Sequence, residues 1–121
     1  KFHSDHARVS DISNRLKAMA KEYDCPVVTL AQLSRSVEQR SDKHPAMSDL
    51  RESGSIEQDA DIIMLLYRDE YYNSESDKEN ILEIDVAKHR DGPTGQIEVY
   101  YNKATGEIKN LERGYENKRT V

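Results

Sequence analysis

Cysteine is almost missing from this 121-residue chain: Cys25 stands alone. No internal disulfide can form, and a reducing, cytoplasmic setting fits. Beside Pro26 this cysteine reads as a small packing residue. Long apolar runs are also missing. None approaches the ~20 residues needed to span a bilayer, so no membrane partner is expected. Residues 1–10 are mainly polar and show no signal-peptide pattern. There is no internal repeat and no low-complexity linker. A basic excess is lacking too: the net charge is -5. That argues against a lone domain gripping nucleic acid through a broad basic surface. It leaves room for an assembly in which each subunit offers a few donors. Glycine is scarce, and none of the five is followed by Lys and then Ser or Thr, so the chain has no phosphate loop. His3 and His6 have no Cys or carboxylate cluster to join them in holding a metal. They read as frayed terminal histidines, and no metal ligand is assigned. Apolar residues make up 36% and charged residues 34%, which is polar for a domain that must close its own core. Some faces are therefore expected to be completed by further chain or by neighbouring subunits.

What is present reads as one α/β domain. Val9, Ile12, Leu16, Met19, Ala20 and Tyr23 recur at helical spacing. Ser4 or Asp5 can cap this helix, its apolar stripe is expected in the core, and Pro26 is expected to end it. Pro26 to Ala31 is a short apolar run, the pattern of a parallel strand covered on both faces. Gln32 follows at its carboxyl end, where open α/β sheets bind ligands. Its amide can sense a phosphate or orient a water, or simply bond neighbouring backbone. Ser34 to Met47 is polar and reads as a mobile loop, with Arg40 and Lys43 either facing a ligand or solvated. Asp61 to Tyr67 is the most apolar stretch, a second strand. In the next polar loop, Tyr71 and Tyr72 sit beside Asp69 and Glu70 and read as a packing anchor. From Ile81 the residues alternate, with Leu82, Ile84 and Val86 on one face and Glu83 and Asp85 on the other. The same period aims Lys88 and Arg90 one way, as a clamp for a polyanion or as a strand end bonded to carbonyls or to Asp91. Turns at 91–95 and 104–106 separate two further strands, so the chain ends in an antiparallel meander. Residues 114–121 read as a disordered polar tail.

The polar stretch Ser48 to Asp61 leads directly into the apolar strand. Ser55 and Gln58 fit a capping box, so a short helix is expected there. Gly54 permits unusual backbone angles or close approach of a ligand. Backbone N–H groups at such a turn can hold an anion, and Arg51 adds a guanidinium suited to phosphate. A loop and capped helix held by surface ion pairs is the alternative.

This stretch resembles the fourth motif of DnaB-type replicative helicases, which are hexameric ring motors. Three further blocks agree in order and spacing: Leu30 to Arg40, Leu66 to Tyr72, and Ala87 to Gly95. The resemblance runs from about Val9 to Arg113. It implies that residues 1–113 are the C-terminal half of a RecA-like motor core. In that core, parallel strands flanked by helices precede the antiparallel meander. It implies that Arg90 is an arginine finger reaching a neighbour's nucleotide, with Lys88 as its partner. It also implies that Gln32 reports the γ-phosphate state, and that Arg51, Glu52 and Gly54 hold DNA. ATP and Mg²⁺ are the implied ligands. The implied partners are single-stranded DNA, identical subunits in a hexameric ring, primase and a helicase loader. The family's phosphate loop, catalytic glutamate and metal-binding aspartate have no counterpart here. The chain is thus expected to start in mid-domain and, alone, not to hydrolyse ATP. A sister RecA-like motor, such as a recombinase or phage primase-helicase, and a non-catalytic DNA-binding or oligomerisation module are the alternatives.

Overall fold

The computed structural model describes residues 4–53 and 55–112, apart from the side chains of residues 51–53. The tail expected at 114–121 lies outside them. The first helix, α1, spans Asp5–Glu22. Ser4 caps it, its hydroxyl accepting from the Ala7 N–H at 3.1 Å, which satisfies a donor that the helix start leaves orphaned. Pro26 is not what stops it. Asp24 turns left-handed at φ 49°, and the N–H groups of Asp24 and Cys25 return to the carbonyls of Lys21 and Ala20, a Schellman stop. The expected apolar stripe is only partly covered. Val9, Leu16 and Ala20 are half-buried, whereas Ile12, Met19 and Tyr23 are exposed. Cys25 is exposed as well, so it is not a packing residue.

The sheet consists of β1 (Ile62–Tyr67), β2 (Ile81–His89), β3 (Gly95–Asn102) and β4 (Glu107–Lys109). They lie in that order, each antiparallel to the next. The α/β class and the meander are as expected. The expected parallel strands are not seen among the described residues, where every pairing is antiparallel. Residues 26–31 join no sheet, with Val28 86% and Leu30 94% exposed. A strand needs a neighbour to bond its N–H and C=O groups, and no strand pairs with this segment among the described residues. β1 pairs with β2 alone and forms the sheet edge.

Directly paired residues of antiparallel strands share a face. Ile63, Leu65 and Tyr67 lie with Asp85, Glu83 and Glu98 on one face. Two 3-10 helices, Arg35–Gln39 and Met47–Ser53, belong to the segment above it. Leu50 buries itself with Ile63 and Leu65, and Leu33, Met47, Ala60 and Ala87 pack around them. Glu83 and Glu98 face each other directly, an arrangement that repels. The Lys78 ammonium bridges them at 2.6 and 3.0 Å. The opposite face carries Met64, Leu66 and Ile97, all more than half exposed.

The segment expected as a mobile, solvated loop is stapled. The Arg40 guanidinium meets both oxygens of the buried Asp49 at 2.8 and 3.0 Å and donates to the His44 carbonyl at 2.8 Å. That bidentate pair, with the Ala46 N–H donating to Asp49 at 2.7 Å, satisfies a carboxylate removed from water. Lys43 donates to the Arg40 carbonyl. The His44 ring lies 3.8 Å from that of Tyr67. Tyr72 stacks on Tyr67 as part of the expected anchor, while Tyr71 meets it edge-on and is exposed.

Candidate functional site

Arg90 and Lys88 do point the same way, but a simple alternation does not put them there. The pairing shifts between Ile63 and Met64, so that Ile63 faces Lys88 and Met64 faces Val86. Ala87 is the extra residue of a bulge. Bulges re-aim side chains at the ends of strands, and this one moves Lys88 from the Val86 face to the covered face. There lies α2, Ile56–Asp59.

The carboxyl end of α2 receives both cations. The Lys88 ammonium donates to the Glu57 carbonyl at 2.7 Å and the Gln58 carbonyl at 3.3 Å. Arg90 donates to the Gln58 carbonyl at 3.0 Å and to Asp61 Oδ1 at 2.7 Å. The Arg90 N–H also donates to the Asp61 carbonyl at 2.9 Å. Cations belong at a helix carboxyl end, where carbonyls lack intrahelical partners. The other Asp61 oxygen takes the Lys17 ammonium at 2.6 Å, which links α1 to the cluster. The Lys17 hydrogen bond, then the charges of Lys17, Arg90 and Lys88, hold the Asp61 carboxyl below the usual carboxylate range. An open cleft of about 430 Å³ adjoins this pair, lined by Lys17, Lys21, Asp24, Cys25 and Asp61 among others.

The turn beyond Arg90 is close-packed. A Cβ at Gly92 would fall 2.3 Å from the His89 ring, and His89 Nδ1 lies 3.2 Å from the Pro93 carbonyl. The expected helix after Ser55 is present without its capping hydrogen bond. Instead the Ser55 hydroxyl donates to Asp59 Oδ2 at 2.8 Å, and Ser13 of α1 donates to the same oxygen at 2.7 Å. Gln32 is exposed and forms no hydrogen bond among the described residues. It does not join Lys88 and Arg90, but its neighbour Leu33 packs on Leu50, and the Ser34 N–H donates to the Asp49 carbonyl at 3.1 Å. Arg51 and Glu52 fall in the 3-10 helix Met47–Ser53. Their side chains, and Gly54 entirely, lie outside the described residues. Asp61 and Lys17 went unnoticed in the sequence. They act 29 and 44 residues from their partners, a separation that no local period reveals.

Residues 1–110 match the family model described as DnaB-like helicase C terminal domain. The replicative DNA helicase DnaB of Geobacillus stearothermophilus is 57% identical over 108 residues, covering 89% of this chain and 24% of that protein. The replicative DNA helicase DnaC of Bacillus subtilis is 54% identical over 109 residues, covering 90% and 24%. The chain thus spans about a quarter of these relatives' length. Among solved structures, an ATPase domain superposes with a TM-score of 0.83 at 58% identity, covering 86% of this chain and 37% of that one. A DnaB-like replicative helicase, studied with its primase interactions, gives 0.86 at 53% identity, covering 93% and 27%. With a family model matched over 110 of its 121 residues, this chain belongs to the DnaB-like helicase C-terminal domain family.

Proposed function

We propose that this segment serves in a replicative, ring-forming DNA helicase that couples ATP hydrolysis to movement along single-stranded DNA and to unwinding. In such a ring each nucleotide lies between subunits, one giving the phosphate loop and its neighbour giving positive charge. Arg90 is the finger in this reading and Lys88 its partner. Both stabilise charge developing on the γ-phosphate, and Gln32 senses that phosphate. Arg51, Glu52 and Gly54 contact the DNA backbone. Glu52, an anion, contributes through its own N–H or by orienting a neighbouring arginine. The observation that carries the reading is the bulge that sends Lys88 and Arg90 together onto the carboxyl end of α2. The described residues do not fit a metal site, since no three His, Cys, Asp or Glu side chains converge. In this reading Mg²⁺, like ATP, is held mainly by the part of the motor that carries the phosphate loop. Primase and a loader are proposed partners, the first by likeness to the helicase whose primase interactions were studied.

One observation favours a second reading. Both cations are already bonded within their own subunit, so they can be braces alone. In the full-length protein, Arg90→Ala separates the two. A finger predicts near-normal ATP binding with hydrolysis reduced ~10³-fold or more. A brace predicts weakened ATP binding or assembly instead.

A further inference from the structure

We infer that Asp61 is a positioning residue for Arg90. The inference rests on the finger reading above. Asp61 holds Arg90 twice, by carboxylate to guanidinium at 2.7 Å and by carbonyl to N–H at 2.9 Å. The side chain nevertheless stays 44% exposed. An arginine has five N–H donors, and the Asp61 and Gln58 bonds use only two of them. The group is thus aimed without being consumed. Holding charge in place matters because transition-state stabilisation depends on preorganised geometry, and a misplacement of about 1 Å can cost ~10²-fold.

A carboxylate could also cancel the charge it aims. Here Lys17 shares it at 2.6 Å, and Lys88 stands on the adjoining carbonyls. The charge of Asp61 is thus shared among Lys17, Arg90 and Lys88 rather than spent on Arg90 alone. Gln58 and Asp61 follow closely on the stretch 51–54 and lie either side of the α2 carboxyl end.

The test uses the full-length helicase carrying this segment, with steady-state ATPase measured with and without single-stranded DNA. Asp61→Asn keeps the size of the side chain and removes its charge. It should lower the DNA-stimulated kcat by about 10–100-fold, with KM for ATP little changed. In an Arg90→Ala background the same change should cause no further loss, because residues that act as a unit are not additive. Lys17→Met leaves every bond of Arg90 in place and should cost much less than Asp61→Asn. Three results would overturn the inference: unchanged kcat in Asp61→Asn, losses that multiply in the double variant, or Lys17→Met as harmful as Asp61→Asn. If Arg90→Ala alone keeps wild-type kcat, the finger reading has failed, and that result is distinct from the other three.

Discussion

The two faces of the sheet differ in who covers them. On one face Ile63, Leu65 and Tyr67 are buried under Leu50 and its neighbours. On the other, Ile62, Met64 and Leu66 are 50%, 57% and 55% exposed. Yet these six residues form one continuous apolar strand. Strands with one face in water alternate apolar with polar, whereas continuous apolar runs belong between two layers. β1 is therefore built for two covers, and the described residues supply it with one. The unpaired segment 26–31, with Val28 and Leu30 almost fully exposed, fits the same reasoning. The covered face is also the one toward which the bulge turns Lys88, so the side that is packed is the side that carries the candidate chemistry.

The sharpest way to break that comparison is to truncate adjacent leucines. In the full-length protein, Leu65→Ala should lower the opening free energy of the β1 and β2 amides by about 2–5 kcal/mol, the usual cost of a core leucine. Hydrogen exchange reads that value locally. Leu66→Ala should cost a similar amount if a second layer covers the open face in the longer protein. A loss within about 0.5 kcal/mol, typical of surface positions, would show that the face stays bare.

A smaller effect sits in the polar part of the covered face. The Tyr67 hydroxyl donates to Asp69 at 2.9 Å. Burial first, then that bond, pushes the phenol well above its ordinary value of 10.0. A raised folded pKa gives stability that is full below about pH 10 and is lost as pH rises beyond it. Bonds from Ser76 and Tyr67 hold Asp69 below its ordinary 3.8. That contribution is full above about pH 4 and is lost as pH falls toward the folded value. Tyr67→Phe should cost about 0.5–1.5 kcal/mol at neutral pH. It should also remove the alkaline loss while leaving an acid loss through the Ser76 bond. Exchange rates of the β1 amides across a pH series check this. An unchanged alkaline limb would mean that Tyr67 does not control it.

The smallest effect lies where the covering segment carries the proposed DNA contacts. Leu50 anchors the 3-10 helix that ends beside the proposed contacts. Arg51→Ala should weaken single-strand binding equally for all sequences, since backbone contacts carry no sequence information. It should also flatten the salt slope by about one phosphate per engaged subunit. The measurement is single-strand affinity of full-length protein across a salt series, with a non-hydrolysable nucleotide present. Unchanged affinity and slope would leave that stretch as a loop and short helix with no part in DNA binding.

The elements that local rules govern were legible in the sequence. The extent of α1 followed from a 3.6-residue period and Ser4, and the meander followed from alternation broken by turn residues. Spacing put Lys88 and Arg90 on one side, but which face they take depends on the unpaired Ala87, which shifts the register and which alternation does not reveal. The Arg40–Asp49 fork was invisible, since it joins residues nine apart through a tertiary fold. The segment 26–31 is a different case. Its residues suit a sheet, but strand character depends on a partner, and none pairs with it among the described residues.

The most direct measurement mixes two defective full-length proteins. One carries Arg90→Ala; the other carries a disabled phosphate loop. If Arg90 acts on a neighbour's nucleotide, mixed rings contain some sites built from one intact loop and one intact finger. We expect ATPase activity above that of either variant alone, rising with the extent of subunit exchange. Mixed rings that form yet stay as inactive as the two parents would contradict a finger acting between subunits.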